Sequence, residues 1–235
     1  MPVLALDTAT LVSSVAIVTP GALVAELTIQ TKLTHSELLM PHISQLLAAA
    51  RVRKSELRAV AVSIGPGSFT GLRIGLASAK ALAYALNIPL VGVSTLAALA
   101  YNCPLPQVYL APVLDAQKGN VYTSLYCWQQ GKMSEYRPAA VKPFTELLGQ
   151  LRALGAPAVV MGEAAVMHQE QLKQAGPDII LAPPHLIMPR AASVGLLGCK
   201  MLNDGISHDV MTLEPLYIRR SEAEDLWDRR HGVCG

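Results

Sequence analysis

Two aspartates have the residue type and the setting for phosphate chemistry. Asp7 follows the apolar run Val3–Leu6, and Asp115 follows the apolar run Val108–Leu114. In a kinase-like protein, one carboxylate holds a metal-bound phosphate and another orients the nucleophile. A strand-end aspartate can instead bond the backbone of its own turn. The sequence leaves both interpretations open, and Asp7 and Asp115 are therefore the candidate cofactor-binding residues.

A glycine-rich segment, Gly65–Arg73, joins a predicted strand at Ala59–Ile64 to a helix predicted over Ile74–Leu86. A glycine loop before a helix N-terminus is a place where phosphate can bind, because free backbone N–H groups point out of the helix. The spacing here matches neither the P-loop nor the dinucleotide fingerprint. A tight turn followed by a packing face is the alternative.

Small residues recur every four positions along this helix, at Gly71, Gly75, Ala79 and Ala83. That spacing places them on one helix face. Glycine inside a helix costs roughly 0.5–1 kcal/mol relative to alanine, and close approach of another backbone would offset that cost. The face either packs on the sheet of its own chain or forms an interface with another chain.

The remaining polar residues form no recognisable catalytic or metal-binding pattern. The closest histidines, His35 and His42, are seven positions apart, whereas helix-borne metal ligands usually lie about three to five residues apart. None of the four cysteines belongs to a C-x-x-C pair, and no G-x-S-x-G segment is present. We therefore predict no catalytic residue and no metal ligand.

Composition predicts a cytoplasmic protein with a large core. Hydrophobic residues make up 51% of the 235 residues, charged residues 15%, and the net charge is +2. No signal peptide is recognised, and polar residues interrupt the most apolar stretch, so no membrane span is predicted. The charge is too small to indicate nucleic-acid binding. Tyr109, Tyr122 and Tyr126 lie in predicted strands and form no base-stacking platform with basic neighbours.

The order of elements repeats. Each half has an apolar strand ending in aspartate, a polar turn, two further strands and then a helix, which is Ser36–Ala50 in the first half and Phe144–Leu154 in the second. Pro41 should kink or delay the first of these helices, and Thr34 with Glu37 fits a capping box at its start. The repeat predicts a duplicated α/β fold with lobes at 1–106 and 107–235. A helix at 190–202 could pack back on the first lobe.

Several segments resemble the bacterial TsaB family, also called YeaZ. The main one is Gly65–Arg73, with the sequence GPGSFTGLR. The others occur in family order, and the resemblance extends from about Val3 to Glu222. They are Leu6-Asp7-Thr8, Thr34–Glu37, Leu114-Asp115-Ala116, Val121-Tyr122 and Pro215–Arg219.

The resemblance implies a two-lobed fold like that of actin, Hsp70 and the sugar kinases, with a shortened second lobe. It implies a non-catalytic partner that activates a TsaD-type subunit in threonylcarbamoyl modification of the tRNA adenosine next to the anticodon. ATP and metal are expected on that subunit, with none bound tightly by this chain. A TsaE-type ATPase and tRNA are reached through the complex, and a homodimer is expected in the partner's absence.

The resemblance also implies that helices of the first lobe form the interface with the partner. Its predicted residues are Leu39, Ile43, Leu46, Gly71, Leu72, Gly75, Ala79 and Ala83. One alternative function is a small ATP-dependent phosphotransferase that uses Asp7 and Asp115. A peptidase is the least favoured alternative, because metal ligands are missing. The sequence assigns no role to residues 222–235.

Overall fold

The computed structural model of the chain describes residues 1–30 and 35–218, which form two five-stranded sheets with helices around them. The first sheet contains β1 (Val3–Asp7), β2 (Val12–Thr19), β3 (Ala22–Gln30), β4 (Ala59–Gly65) and β5 (Leu90–Ser94). The second contains β6 (Tyr109–Asp115), β7 (Asn120–Gln129), β8 (Lys132–Pro143), β9 (Ala158–Met161) and β10 (Ile179–Leu181). The helices are α1 (His35–Ala50), α2 (Phe69–Leu86), α3 (Thr95–Tyr101), α4 (Phe144–Ala153), α5 (Glu163–Met167), α6 (Gln169–Lys173), α7 (Pro184–Ile187) and α8 (Ala191–Asn203).

The two sheets have the same connectivity. In the first, β1, β2 and β3 form an antiparallel meander, and β4 and β5 add in parallel on the other side of β1. In the second, β6, β7 and β8 form the meander, and β9 and β10 add in parallel beside β6. This confirms the repeat predicted from the sequence.

Alternation along the strands divides the first sheet into two apolar faces. Leu4 and Leu6 of β1 point towards α1 and α2 and share one buried cluster with them. Ala5, on the opposite face, belongs to a second cluster that includes residues of α3 and α8. In the second sheet, α4, α5 and α6 cover one face, where Phe144 is buried.

The last helix, α8, lies on the first sheet although it follows the second sheet in the chain. Gly195 and Gly198 permit close approach, since a Cβ at Gly198 would lie 2.7 Å from the Cβ of Ala61. Before the helix, the Arg190 guanidinium donates to the Glu26 carboxylate of β3. The Ala192 N–H donates to the Oε1 atom of Glu26 at 3.0 Å. These contacts fix α8 against the first lobe.

Helix α2 begins at Phe69, five residues before the predicted start, because the glycine-rich segment itself enters the first turn. The hydroxyl oxygen of Ser68 accepts a hydrogen bond from the Gly71 N–H at 3.2 Å and caps the helix. The other long helix, α1, begins before Pro41, so the proline does not delay it. Thr34 of the predicted capping box lies outside the described residues.

After α8, residues 206–217 form an irregular segment, here called the strap, that crosses the first lobe. The His208 N–H donates to the Leu90 carbonyl at 2.8 Å, and the Leu216 N–H donates to the Ile64 carbonyl at 2.7 Å. Lys80 of α2 donates to the Met211 carbonyl at 3.2 Å. The strap therefore connects β5, α2 and the end of β4. In the described part of the chain, no helix has the length and apolarity that a bilayer crossing requires.

Candidate functional site

The glycine loop, residues 65–68, connects β4 to α2 and is packed on both sides by other parts of the chain. Gly65 has φ +120°, which favours glycine, and a Cβ there would lie 2.7 Å from the Leu216 carbonyl oxygen of the strap. A Cβ at Gly67 would lie 2.9 Å from the Cβ of Ala9, in the turn between β1 and β2. The glycines therefore make room for two neighbouring chain segments.

The turn between β1 and β2 uses the hydrogen-bonding groups of the glycine loop. The Ser68 N–H donates to the Ala9 carbonyl at 2.6 Å. The Thr8 hydroxyl donates to the Gly71 carbonyl at 2.7 Å. With the Gly71 N–H capped by Ser68, two donors that an anion would need at this helix N-terminus are already engaged. The chain's own β1–β2 turn therefore closes this side of the glycine loop.

Asp7 lies beneath this closed loop and is fully buried. Its Oδ1 atom accepts a hydrogen bond from the Ala9 N–H at 3.0 Å, while Oδ2 has no hydrogen bond of good geometry within the described structure. Burial raises the pKa of Asp7 from 3.8 to about 6, against the opposing effects of the Ala9 N–H and the Ser63 hydroxyl. Asp7 is therefore an interior carboxyl group at the end of β1.

Asp115 occupies the equivalent strand end in the second lobe and is exposed. Its Oδ1 atom accepts a hydrogen bond from the Gln117 N–H at 2.8 Å, so it bonds its own turn. Glu163, at the start of α5, lies beside it. Burial raises the pKa of the Glu163 carboxyl, and the Asp115 charge adds to that rise, while a backbone hydrogen bond to Asp115 opposes it. No hydrogen bond or ion pair in the described structure joins Asp7 to Asp115 or gives them a common partner.

All eight residues predicted to form the partner interface are buried by the chain's own atoms. They are Leu39, Ile43, Leu46, Gly71, Leu72, Gly75, Ala79 and Ala83. A Cβ at Gly71 would overlap the Thr8 carbonyl oxygen, and a Cβ at Gly75 would overlap the Thr8 hydroxyl. The small face of α2 therefore packs inside its own lobe, which was the alternative left open by the sequence. Other residues must provide any partner surface on these helices.

An exposed cluster, which the sequence did not predict, lies beside the glycine loop. The Phe69 and Tyr217 rings are 5.0 Å apart between centroids. The Arg73 guanidinium carbon lies 3.8 Å from the centroid of Phe69, and its Nε donates to the Tyr217 hydroxyl at 3.1 Å. We call these three residues the arginine cluster. It joins two segments of the family resemblance that lie far apart in the chain, GPGSFTGLR and the one beginning at Pro215.

The described histidine side chains have structural surroundings rather than a shared site. His168 stacks on Phe144 with 4.3 Å between ring centroids. The Nδ1 atom of His208 accepts from the Gly92 N–H at 3.2 Å, and His42 is buried in α1. Within residues 1–30 and 35–218, no three His, Cys, Asp or Glu side chains are placed to hold a metal ion.

Comparison with known proteins gives concordant matches over most of the chain. The family model described as "TsaD: tRNA N6-adenosine threonylcarbamoyltransferase" matches residues 24–227. The tRNA threonylcarbamoyladenosine biosynthesis protein TsaB of Bacillus subtilis (strain 168) is 31% identical over 228 residues, covering 97% of this chain and 98% of that protein.

Solved structures match the fold. The structure of YeaZ from Pseudomonas aeruginosa superposes with a TM-score of 0.74 at 28% identity, covering 92% of this chain and 99% of that one. A ROK hexokinase from Thermus thermophilus superposes with a TM-score of 0.51 at 13% identity, covering 87% and 100%. This hexokinase match supports the fold alone, and it confirms the predicted actin/Hsp70/sugar-kinase architecture.

Proposed function

The chain belongs to the TsaB (YeaZ) family, within the wider family that the TsaD model describes, and we propose that it acts in tRNA threonylcarbamoyladenosine biosynthesis. Its part is to bind and activate a TsaD-type transferase subunit, and it has no catalytic activity alone. The observation that carries this proposal is the closure of the glycine loop by the chain's own β1–β2 turn.

Closure of the loop supports a role without nucleotide chemistry of its own. A kinase of this superfold must present backbone donors and carboxylates to a metal-bound phosphate. Here the Ser68 N–H is bonded to Ala9, and Asp7 is buried beneath the turn. An inactive copy of the superfold can still present surfaces to an active one. ATP and metal then belong to the TsaD-type subunit, and tRNA reaches this chain through the complex.

The outer faces of α1 and α2, with the arginine cluster, are the surface that we assign to the partner. Met40 and Tyr84 are exposed on these helices at 47% and 74%, and Phe69 and Tyr217 are exposed beside them at 40% and 42%. Aromatic residues and arginine contribute disproportionately to binding energy at protein interfaces. The same surface would form a homodimer when the partner is absent, and a TsaE-type ATPase would join through the assembled complex in the cytoplasm.

One observation favours the alternative function, a small ATP-dependent phosphotransferase. The Oδ2 atom of Asp7 is buried without a well-formed hydrogen bond, and such a carboxylate oxygen is a typical ligand for magnesium. For ATP to reach it, the β1–β2 turn must leave the glycine loop. Calorimetric titration with ATP and magnesium tests this directly: tight binding that is lost in Asp7→Asn would establish the alternative and overturn a purely non-catalytic role.

The proposed function is tested by mixing the chain with the TsaD-type subunit of the same source and measuring mass by light scattering on a sizing column. A stable complex at micromolar concentration is expected. Arg73→Glu should weaken the complex by at least about tenfold, because it removes an interfacial arginine and adds a repulsive charge. Lys54→Glu makes the same charge change at an exposed site away from α2 and should bind normally.

Two results would count against this proposal. A complex that forms equally well with Arg73→Glu would move the interface away from the arginine cluster. The absence of any complex, with and without nucleotide, would reject the partner role itself. Melting curves of both variants show whether each remains folded.

A further inference from the structure

A groove of about 810 Å³ opens at one end of the second sheet, and it contains no residue of the arginine cluster. It lies where β6 begins, β7 ends and β8 begins. Its lining includes Val108, Tyr109, Trp128, Lys132, Ser134 and Tyr136. Among the residues that the structure describes, no acidic side chain lines it. The groove belongs to neither the closed glycine loop nor the surface assigned to the partner.

Strand register explains why aromatic side chains are open to solvent here. Tyr109 of β6 pairs with Cys127 of β7, which pairs with Ser134 of β8. These residues form one row across three strands, on the same face as Val113 further along β6. At Val113 that face is buried in the cluster that contains α4. At Tyr109 the face is only partly covered, so the row remains accessible.

Two tyrosine rings provide flat surfaces in the groove. Tyr109 and Tyr136 have ring centroids 4.8 Å apart and an angle of 55° between their planes. Tyr136 is 48% exposed. The Arg137 guanidinium carbon lies 5.9 Å from the centroid of Tyr136, within the range of a cation–π contact. The sequence had suggested no stacking platform near Tyr109, because its ring partner and the cation are supplied by β8, which is distant in the chain.

The charge of the groove is positive. Lys132 lines it and Arg137 adjoins it, and neither has a carboxylate partner in the described structure. The one acidic neighbour in β8, Glu135, is engaged elsewhere: its Oε1 atom accepts from the Ser124 hydroxyl at 2.9 Å and lies 3.4 Å from the Tyr126 hydroxyl. An anionic ligand would therefore meet two cations without repulsion from a facing carboxylate.

We propose that this groove binds single-stranded RNA. Unpaired bases stack on Tyr136 and Tyr109, and the phosphates approach Lys132 and Arg137. Every base has a π-face, so aromatic platforms beside cations bind single strands with little sequence preference. A duplex keeps its bases inside the helix and cannot use the tyrosines. The choice of RNA over DNA rests on the proposed function, whereas binding of a single strand rests on the groove alone.

The test is fluorescence anisotropy with a 5′-labelled single-stranded RNA of about 12 nucleotides, a length within the site sizes of such grooves, and with the duplex of the same sequence. At low salt the wild-type chain should bind the single strand with a Kd of roughly 1–100 µM and the duplex more weakly. Tyr136→Ala should weaken binding about tenfold, the size of one lost base–aromatic stack. Lys132→Glu should weaken binding and reduce its dependence on salt.

Met167→Ala is the control, because Met167 is a large apolar side chain, 65% exposed on α5 of the same lobe, that lines neither the groove nor the surface assigned to the partner. It should bind RNA like the wild type. The proposal is overturned if the wild type does not bind the single strand, if the duplex binds equally well, or if Tyr136→Ala has no effect. Equal affinity for single-stranded DNA would keep the groove as a single-strand site and reject the choice of RNA. The interaction with the TsaD-type subunit is measured separately, so the two proposals can fail independently.

Discussion

The two lobes begin with the same motif, a strand that ends in aspartate and turns back, yet the two turns have opposite environments. The turn after Asp7 is buried against the glycine loop, and the aspartate is enclosed with it. The turn after Asp115 is largely exposed, the Asp115 carboxylate accepts a hydrogen bond from the Gln117 N–H of that turn, and Glu163 lies beside it. A duplicated scaffold thus has one closed and one open copy of the same feature.

The difference follows from what faces each turn. In the first lobe, Gly71 and Gly75 of the long helix α2 leave space that Thr8 fills. In the second lobe, β9 is the strand equivalent to β4, and it is followed by Gly162, where a Cβ would overlap the carbonyl oxygen of Val113 inside β6 rather than the turn. The short helix α5 follows. Small residues alone therefore do not create a ligand site, because the space that they leave can be filled by another segment of the same chain.

The largest expected effect comes from filling the space between α2 and the turn. Gly71→Ala should lower the free energy of unfolding by about 3 kcal/mol or more, because its Cβ would overlap the backbone oxygen of Thr8. The matched change in the second lobe is Gly149→Ala in α4, where a Cβ meets nothing within 4 Å. The free energy of unfolding of that variant should rise by roughly 0.5–1 kcal/mol, because alanine replaces glycine inside a helix. Urea unfolding of both proteins measures the contrast, and equal stabilities would show that α2 does not pack as described.

The next effect concerns the cost of enclosing Asp7. Its folded pKa of about 6 exceeds the ordinary value of 3.8, so between these values the folded chain retains a proton that the unfolded chain has released. Stability therefore falls as the pH rises through this window, by up to about 3 kcal/mol, and is level above it. Asp7→Asn should remove this slope and be more stable at neutral pH. Melting temperatures across pH 4–7 measure the slope, with the exposed Asp115→Asn as the control.

A smaller effect distinguishes the ion pairs of the two lobes. Arg190 and Glu26 join α8 to β3, with the Glu26 side chain only 8% exposed. Arg190→Ala should lower the free energy of unfolding by about 2 kcal/mol, because the largely buried Glu26 carboxylate loses its cation. The loss is smaller than for a fully buried pair, because Arg190 is partly exposed to solvent. Lys173→Ala breaks the Lys173–Glu170 pair, where both side chains are more than 60% exposed, and should cost less than about 0.5 kcal/mol. If the two variants lost similar amounts of stability, the Arg190–Glu26 ion pair would not stabilise the packing of α8 on the first lobe.

The smallest effect is one of accessibility. Cys127 lines the groove, whereas Cys103 and Cys199 are buried, and burial raises the pKa of both of those thiols. A maleimide should therefore label Cys127 several times faster than either of the others. Peptide mapping by mass spectrometry gives the rates. Single-stranded RNA should slow labelling of Cys127 but not of Cys103 or Cys199, and unchanged labelling of Cys127 at saturating RNA would place the RNA elsewhere.

Local patterns in the sequence were sufficient to predict the plan of the fold. Apolar runs ending in aspartate predicted both meanders, and α2 ends at Leu86 as predicted, followed by Asn87 with φ +50°. The helix predicted at 190–202 is present as α8. These features depend on neighbours within a few positions, which a sequence displays directly.

Features that depend on distant residues could not be predicted in the same way. The Thr8 hydroxyl meets Gly71 across 63 positions, and Arg73 meets Tyr217 across 144. The small face of α2 has the same spacing whether it packs inside the chain or against another chain. Tyr109 and Tyr136 meet only because β6, β7 and β8 pair in one register. In each case the tertiary fold, and not the local sequence, determines the contact.

The position of α8 has a consequence for the order in which the protein is made. The face of the first sheet that contains Ala5 and Ala61 is covered by α8, which leaves the ribosome after every strand of the second sheet. A nascent chain that has emerged only to about residue 106 therefore exposes an apolar sheet face to solvent. The second lobe can complete its own core first. The first lobe, although synthesised earlier, is the later of the two to be finished.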